Sequence, residues 1–214
     1  MKKLAVLGAS GHGKVVADTA QCCGWDQVDF YDDAWPGLTR NGSWLVVGDS
    51  AAMYARLQNY QGVVVAIGNN KVRHMKLASL IGATAPTVSL IHPMAVVSQY
   101  ATIGPGSVVF AGAVVNADAK VGLGAILNTG CSVDHDCVLG DAVHVSPGAR
   151  LAGAVSVGER SWIGIGASVR QLIRIGIDVV VGAGASVVTD VSDGVVVVGV
   201  PAKVISTVST DRLC

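Results

Sequence analysis

Residues 103–140 read IGPGSV VFAGAV VNADAK VGLGAI LNTGCS VDHDCV LG, so that every sixth residue is aliphatic. The pattern extends in both directions, and the seventeen positions spaced six apart from Ile91 to Val187 all hold Ile, Val or Leu. An α-helix repeats its apolar face about every 3.6 residues and a half-buried strand about every two, and neither period gives this spacing. The spacing is typical of a hexapeptide repeat, which predicts a parallel β-helix.

In such a β-helix each six-residue unit forms one short flat side, and three units complete a triangular coil of about eighteen residues. The coils stack, so the repeated aliphatic side chains fill one continuous core. We therefore expect a β-helix domain over residues 86–214, with its repeats running from Ile91 to Val187. The run from Val195 to Lys203 is predicted to form a tail strand and cap.

Residues 1–85 have a different character, because short apolar runs alternate with glycine-rich or polar turns. This alternation predicts a Rossmann-like α/β module. A predicted turn over Gly8–Lys14 joins the first strand to the first helix, and Gly82–Ser89 is the predicted linker. The predicted strands are Leu4–Leu7, Val28–Tyr31, Trp44–Val47 and Val63–Ile67, and the predicted helices are Val15–Cys23 and Lys71–Ile81.

Charge and composition exclude several classes of function. The 15 basic and 15 acidic residues cancel, and aromatic residues make up only 5% of the 214-residue chain. A nucleic-acid-binding surface needs clustered basic charge and stacking platforms, so no nucleic acid is expected as a partner. The apolar run after Met1 is broken from Gly8 onward, too early for a signal peptide or a membrane span. We expect a cytoplasmic protein without membrane insertion.

The cysteines and histidines indicate neither disulfides nor a metal site. The five cysteines are odd in number and include no C-x-x-C pair, so we interpret them as reduced core thiols. The five histidines are scattered without the close spacing of metal ligands, so no metal is expected. The cysteines are Cys22, Cys23, Cys131, Cys137 and Cys214.

The segment Gly8–Lys14 reads GASGHGK between a predicted strand and a predicted helix. Backbone N–H groups at the start of a helix bind phosphate, so we interpret this segment as a site for the diphosphate of a nucleotide sugar. Its G-x-x-G-x-G spacing differs from the dinucleotide fingerprint G-x-G-x-x-G. An NAD(P) oxidoreductase and a purely structural turn therefore remain as alternatives. The residues assigned to this site are Ser10, Gly11, His12, Gly13 and Lys14.

Two acidic residues, Asp32 and Asp33, end the predicted second strand. In a mononucleotide-binding fold an acidic side chain at this position accepts hydrogen bonds from the ribose or the base. A solvated turn explains the same two residues equally well.

His135 lies between two carboxylates on a repeat scaffold that is otherwise poor in charge. An imidazole titrates near neutral pH and can accept the proton that an attacking amine loses, while a neighbouring carboxylate can fix its tautomer. Asp134 and Asp136 are both candidates for that carboxylate, and a solvated corner of the coil is the alternative. Ser132 and Cys137 are explained as coil residues, so direct transfer without a covalent intermediate is predicted.

Together these motifs resemble the hexapeptide-repeat acyltransferases. The repeats and Gly199–Lys203 carry the general likeness. The Gly8–Lys14 turn, combined with Asn128, Asp134–Asp136 and Val143–Ser146, is similar to the sialic-acid O-acetyltransferase type, and most of all to bacterial UDP-4-amino-sugar N-acetyltransferases. The resemblance implies a left-handed β-helix, which the period alone does not give. It also implies acetyl-CoA as cosubstrate and a homotrimer with active sites between subunits.

The resemblance implies roles for individual residues as well. His135 would be the general base and Asp136 its orienting acid, at a position where relatives often carry the longer Glu. His144 would lie near the acetyl-CoA thioester, whose oxygen the N–H of Gly153 would stabilise. A histidine satisfied at a subunit interface is the alternative for His144. The other assignments are Asn128 near the acceptor sugar, Gly153, Ile165 and Ala183 in the pantetheine groove, and Asp32, Asp33, Gly68 and Asn69 at the nucleotide.

The expected reaction transfers an acetyl group from acetyl-CoA to the amino group of a nucleotide-activated amino sugar. The expected acceptor is a UDP-4-amino-4,6-dideoxy sugar used in bacterial surface glycan or glycoprotein synthesis. Two alternatives stay open at this point. One is an O-acetyltransferase acting on a sialic-acid-like sugar, and the other is a non-catalytic β-helical binding protein.

Overall fold

The computed structural model describes residues 1–208, which form an α/β module followed by a β-helix. In the module, β4, β2, β1 and β5 pair in parallel, and β3 joins β4 as an antiparallel hairpin. The strands are β1 (Lys3–Leu7), β2 (Gln27–Tyr31), β3 (Arg40–Asn41), β4 (Trp44–Gly48) and β5 (Gly62–Val65), and the helices are α1 (Gly11–Cys22), α2 (Ser50–Ala55) and α3 (Asn70–Gly82).

The two faces of this sheet are covered by different helices. Side chains alternate between the faces along each strand. Leu4 and Val6 of β1 accordingly share a buried cluster with Val16 of α1. Ala5 and Leu7 belong to a second cluster, which includes residues of α2 and α3. The predicted α/β module is therefore observed, with α2 and β3 as elements that the sequence did not indicate.

Helix α1 starts earlier than predicted. It begins at Gly11 rather than at Val15, so the predicted seven-residue turn shortens to Gly8–Ser10. Gly8 has a φ of 108°, and a Cβ there would lie 2.9 Å from the Ala66 carbonyl oxygen. At Gly13 a Cβ would lie 2.5 Å from the carbonyl oxygen of Gly8. The glycines thus let the helix begin directly against the end of β1.

The β-helix consists of two-residue strands, and each predicted repeat aliphatic is the second residue of one of them. From β6 to β19, each strand pairs in parallel with the strand eighteen residues later, as Val115 does with Val133 and Val133 with Leu151. The strands are β6 (Leu90–Ile91), β7 (Val96–Val97), β8 (Thr102–Ile103), β9 (Val108–Val109), β10 (Val114–Val115), β11 (Lys120–Val121), β12 (Ile126–Leu127), β13 (Ser132–Val133), β14 (Val138–Leu139), β15 (His144–Val145), β16 (Arg150–Leu151), β17 (Ser156–Val157), β18 (Trp162–Ile163), β19 (Ser168–Val169), β20 (Arg174–Ile175), β21 (Val180–Val181) and β22 (Ser186–Val187).

Three sheets form the faces of the triangular coil. The first face contains β6, β9, β12, β15, β18 and β21, the second contains β7 and every third strand to β22, and the third contains β8 and every third strand to β20. The first corner joins the first and second faces, the second corner joins the second and third, and the third corner joins the third and first. The aliphatic repeats point inward, and Leu127, Val133 and Leu139 are buried in a single core cluster.

The second corner has the same backbone conformation in successive coils. Asp118, Asp136, Ala154 and Leu172 follow one another at eighteen-residue intervals, and their φ angles are 60°, 60°, 58° and 65°. This left-handed region is unfavourable for most side chains, and Asp is among the residues that tolerate it best. The turn of the corner therefore determines where the side chain of Asp136 can point.

The chain closes the β-helix with two further strands. β23 (Val195–Val198) extends the first face in parallel beside β21, and β24 (Lys203–Thr207) pairs with β23 in the antiparallel direction. A strand thus forms within the tail where one was predicted, and the antiparallel partner follows it.

The cysteines fall into two environments. Cys131 and Cys137 are buried in the β-helix, as predicted. The prediction of core thiols is wrong for Cys22, which is exposed, and for Cys23, which is half-buried. Both lie at the surface end of α1, where the thiol of Cys23 donates to the Ile91 carbonyl at 3.1 Å. Cys214 lies outside the described residues.

The α/β module covers the first face of the β-helix over its first coils. The outward side chains of Leu90, Val108 and Ile126 are buried in the cluster that includes residues of α1. The same outward column continues beyond them with His144 and Trp162. Within residues 1–208, no helix is both long and apolar enough to cross a membrane.

Candidate active site

A cavity of 280 Å³ opens at the carboxyl ends of the parallel strands of the module. Three predicted segments line it: Gly8 and Ser10 after β1, Asp32 and Asp33 after β2, and Ile67 and Gly68 after β5. Ligands of open α/β sheets bind at this edge, because the loops after the strands converge there. The structure therefore brings together Ser10, Asp32, Asp33 and Gly68 of the residues that the sequence assigned to the nucleotide, whereas residues 11–14 and Asn69 do not line this cavity.

The two acidic residues at this cavity differ in what they contact. Asp32 accepts the backbone N–H of Ala9 at 2.7 Å and that of Ala34 at 2.9 Å, so both of its oxygens hold neighbouring turns in place. Asp33 is largely exposed and accepts the N–H of Ser50 at 2.9 Å. Its hydrogen bonds with Ser50, and then the charge of Lys76, lower the pKa of Asp33.

Lys76 was not identified from the sequence, although it lines the cavity. Its ammonium lies 3.5 Å from Asp33 Oδ2 and 3.3 Å from Ser50 Oγ. A single lysine on an amphipathic helix gives no signal by itself, because solvated lysines are the rule on such helices. Only the fold brings α3 beside the end of β2.

The remaining residues of the predicted phosphate segment, Gly11 to Lys14, belong to the first turn of α1. His12 packs edge-on against Phe110 of the β-helix, with the ring centroids 5.6 Å apart. Its Nε2 is buried and has no hydrogen-bond partner within residues 1–208. Burial, and secondarily the charge of Arg73, lowers the pKa of His12 to about 4. His12 thus faces the junction with the β-helix rather than the 280 Å³ cavity.

His135 lies at the second corner with its side chain 62% exposed. Its Nδ1 is 2.7 Å from Asp136 Oδ2, so the left-handed turn brings the short aspartate into direct contact with the ring. Asp134 instead accepts the backbone N–H of His135 and the amide of Asn116, each at 2.8 Å. The hydrogen bond that the ring of His135 donates to Asp136 raises the pKa of His135, and the charges of both carboxylates add to the effect.

Gly153 lies in the next coil at the same corner. A Cβ at Gly153 would collide with Nε2 and Cε1 of the His135 ring, and the Ala154 N–H donates to the His135 carbonyl at 2.8 Å. With Nδ1 held by Asp136, Nε2 is the nitrogen that faces the backbone of Gly153. The corner therefore offers a histidine nitrogen and a main-chain segment side by side at an exposed position.

His144 lies on the first face in a contrasting environment. Its ring stacks on Trp162 at 5.3 Å with an interplanar angle of 8°. The oxygen of the Asn128 amide accepts the Thr129 N–H at 2.8 Å, which leaves its NH₂ to donate to His144 Nε2 at 3.2 Å. This assignment puts the proton of His144 on Nδ1, which is buried without a partner among the described residues. Burial, followed by the charge of Arg73, lowers the pKa of His144 to about 3.

A second cavity, of 390 Å³, borders His144 and Trp162 and continues over the first corner. Ile165 and Ala183, both assigned to the pantetheine groove, line it. Trp162, which the sequence did not single out, donates its indole N–H to Ser146 Oγ at 2.6 Å. A largely apolar wall crossed by exposed backbone suits a long, flexible ligand that is held mainly by main-chain contacts.

The predicted catalytic and cofactor residues thus form two groups within one chain. His135, Asp136 and Gly153 share the second corner, whereas Asn128, His144, Ile165 and Ala183 share the first face and first corner. One complete side of the triangle separates the two corners. All residues that line the 390 Å³ cavity lie on the first face or at the first corner, and His135 is not among them within the single chain.

The comparisons with known proteins agree with this architecture. Residues 3–80 match the family model described as the PglD N-terminal domain. The acetyltransferase domain of PglB from Neisseria gonorrhoeae FA1090, in complex with acetyl coenzyme A, is 42% identical with a TM-score of 0.92, and the match covers 95% of this chain and 99% of that chain. This chain belongs to the nucleotide-amino-sugar N-acetyltransferases. The predicted left-handed parallel β-helix behind a Rossmann-like module is confirmed.

Two further relatives differ in the nucleotide of the sugar with which they are described, which is GDP for one and UDP for the other. PerB from Caulobacter crescentus, in complex with CoA and GDP-perosamine, is 41% identical with a TM-score of 0.89, and the match covers 96% of this chain and 98% of that chain. The UDP-N-acetylbacillosamine N-acetyltransferase of Bacillus subtilis is 39% identical over 114 residues, which are 52% of this chain and 52% of that protein. The match thus spans about half the length of the curated relative.

Proposed function

We propose that this acetyltransferase moves an acetyl group from acetyl-CoA to the amino group of a nucleotide-linked amino sugar. We assign the acceptor as a UDP-4-amino-4,6-dideoxy sugar for bacterial surface glycan or glycoprotein synthesis. The observation that carries the proposal is the exposed pair of His135 and Asp136, 2.7 Å apart and beside the backbone of Gly153. The name of the Bacillus relative supports UDP, and the GDP-perosamine bound to PerB makes the nucleotide a point to test.

His135 is the general base of the proposed mechanism. The carboxylate of Asp136 holds the proton on Nδ1, so that Nε2 carries the free lone pair. The sugar nitrogen attacks the thioester carbonyl of acetyl-CoA, and Nε2 takes the proton that the nitrogen loses as the new C–N bond forms. The C–S bond then breaks, and the imidazolium returns the proton to the departing thiolate. The N–H of Gly153 stabilises the oxyanion of the tetrahedral intermediate.

The 390 Å³ cavity is the proposed site for acetyl-CoA. Ile165 and Ala183 contact the pantetheine arm at the first corner, and His144 lies at the end of the cavity nearest the α/β module. Because its pKa is lowered to about 3, His144 stays neutral throughout the physiological range and acts through hydrogen bonds rather than charge. Asn128, which contacts His144, is placed beside the acceptor sugar.

The 280 Å³ cavity is the proposed site for the nucleotide. Asp33, Gly68 and Asn69 contact the base or the ribose, and Asp32 supports the turn that carries Ser10. The N–H groups of Gly11, His12 and Gly13 in the first turn of α1 face the diphosphate with the positive end of the helix dipole, whereas the backbone N–H of Lys14 donates to Ser10 O at 3.3 Å. His12 lies between this turn and the β-helix, where the sugar leaves the nucleotide site.

The active site requires a second copy of the chain. His135 lies at the second corner, and the proposed acetyl-CoA groove lies at the first corner of the same coil stack. A homotrimer of triangular β-helices places the second corner of one subunit against the first face and first corner of the next, so that three equivalent sites form around the axis. The exposure of the His135 side chain, 62% in the single chain, supports this arrangement.

The direct test is CoA thiol release from acetyl-CoA with UDP-, GDP- and dTDP-linked 4-amino sugars and free sialic acid, comparing wild type with His135→Ala. Turnover with one nucleotide amino sugar, lost in the variant, is expected. Turnover with sialic acid alone would replace the proposal with an O-acetyltransferase. Binding of acetyl-CoA and a nucleotide sugar without any turnover would replace it with a binding protein.

A further inference from the structure

Helix α3 lies along the third corner of the β-helix and contacts a different coil with each turn. The side chain of Leu77 approaches Gly106 and Gly124, Arg73 bonds to Gly124 and Ala142, and Asn70 bonds to the carbonyls of Arg160 and Ser161. Their spacing of i, i+3 and i+7 puts the three side chains on one face of the helix. That face is the contact between α3 and the β-helix.

This contact is possible because two repeat distances nearly coincide. One turn of an α-helix rises about 5.4 Å, and neighbouring strands of a sheet lie about 4.8 Å apart. A helix parallel to the coil axis therefore meets a new coil with each turn, and it can be shifted by a whole coil with little change in shape. Contact by apolar side chains such as Leu77 does not by itself determine which coil a given turn meets.

Arg73 supplies the directional contacts. Its side chain is 1% exposed, and the five bonds observed within residues 1–208 all go to uncharged oxygens. Nε donates to Gly124 O at 2.7 Å and Nη2 to Ala142 O at 2.7 Å and to Asn70 Oδ1 at 2.8 Å. Nη1 donates to Ile67 O at 2.9 Å and to Gly68 O at 3.1 Å. A buried guanidinium tolerates this environment only while its fork of donors is fully matched.

The same arginine links the β-helix to the nucleotide cavity. Ile67 and Gly68, whose carbonyls bind Nη1, line that cavity, as do Val72 and Lys76 from the other side of α3. Gly124 and Ala142 lie at the third corner of consecutive coils, and the chain between them carries Asn128 and His135. One side chain thus joins the wall of the nucleotide cavity to the coils that carry the proposed transfer residues.

We propose that Arg73 is a positioning residue. It fixes which coils of the β-helix lie beside α3 and the nucleotide cavity, and so it delivers the sugar amine to the correct coil. This role rests on the proposed function, because it concerns the distance between nucleotide and acetyl donor. It predicts that disturbing Arg73 impairs transfer more than it impairs the binding of either ligand.

The test compares Arg73→Lys and Arg73→Ala with wild type, using the amino sugar that wild type turns over. Lysine keeps the charge but cannot make the five-bond fork, so kcat should fall about 100-fold, the loss expected for a misplacement of about 1 Å. The KM for acetyl-CoA and the Kd of the free nucleoside diphosphate should change far less. Guanidinium ion should restore part of the turnover of Arg73→Ala, and the same concentration of sodium chloride should not.

Arg160→Lys is the matched control, because that guanidinium bonds to Glu159 and Asp178 within the β-helix and touches no part of the nucleotide cavity. It should keep the wild-type kcat.

All variants are assayed below the melting temperature that circular dichroism gives for each. If Arg73→Ala does not fold, Arg73→Lys alone tests the proposal. A folded Arg73→Lys with a lower melting temperature and an unchanged kcat would overturn the positioning role. A wild type that turns over no amino sugar would overturn the proposed function and this role with it.

Discussion

His135 and His144 lie nine residues apart on one β-helix, yet the fold gives them opposite properties. His135 lies on an exposed corner, where Asp136 raises its pKa. His144 lies on a covered face under Trp162, where burial lowers its pKa to about 3. Nine residues are half a coil of a triangular helix, so neighbours in sequence point to different surroundings. The repeat scaffold can therefore supply both a proton acceptor and a permanently neutral hydrogen-bonding group.

The largest expected effect comes from replacing each histidine by asparagine, which should separate the two roles in the kinetics. His135→Asn removes the proton acceptor and should lower kcat by about 10²–10⁴-fold, with little change in the KM for acetyl-CoA. His144→Asn keeps a neutral polar group but loses the stacking on Trp162, so its main effect should be a higher KM for acetyl-CoA. Steady-state kinetics with both substrates varied would measure the split. Equal losses of kcat in the two variants would show that the histidines do not differ as described.

Removing Asp136 should move the acidic limb of the pH–rate profile, which is the range in which kcat rises with pH. A base with a raised pKa is protonated, and so inactive, up to a higher pH, and the contact with Asp136 is the largest cause of that raised pKa. In Asp136→Ala the limb of kcat should therefore shift to lower pH, while kcat at the plateau falls because the ring is no longer oriented. Asp134→Asn is the control, since Asp134 binds the backbone of His135 rather than its ring. A larger shift in the control than in Asp136→Ala would assign the orienting role to Asp134 instead.

The buried histidines should make stability fall in mild acid. The pKa of His12 is lowered to about 4 and that of His144 to about 3, both from the usual histidine pKa of 6.5. Below pH 6.5 the unfolded chain binds protons that the folded chain excludes, so the free energy of unfolding should fall by up to about 1.4 kcal/mol per pH unit for each histidine. Urea titrations between pH 7 and about 5 would measure this slope. His144→Asn should reduce it, and an unchanged slope in that variant would contradict the neutral, buried state.

The β-helix could be predicted almost strand by strand, because its signal repeats. Every repeat aliphatic from Ile91 to Val187 is the second residue of a strand, and those from Val97 onward belong to or pack against one core cluster. The α/β module has no such repetition. The sequence predicts the start of α1 four residues too late, because the glycines from Gly8 to Gly13 indicate a loop as readily as a close contact between helix and strand.

The sequence predicts those site residues whose side-chain type itself suggests a chemical role. It does not predict those whose role depends on how the two parts of the molecule pack. The sequence around His135 indicates a base, and the left-handed corner decides that Asp136 rather than Asp134 contacts the ring. Arg73 gave no signal, because an arginine on an amphipathic helix is normally solvated. Its burial depends on the match between helix pitch and coil spacing, which appears only when the two parts are assembled.

The separation of His135 from the proposed acetyl-CoA groove is the central claim, and mixed oligomers test it directly. Two impaired variants, His135→Ala and the double variant Asn128→Ala, His144→Ala, would be unfolded together, refolded at equal amounts and assayed for CoA release at an acetyl-CoA concentration at which each alone has little turnover. If each site takes His135 from one subunit and Asn128 with His144 from the next, one intact site forms in every mixed trimer, and about a quarter of wild-type turnover should return. Turnover no higher than that of the two separate variants, with mixed oligomers present, would place the whole site within one chain and contradict the account.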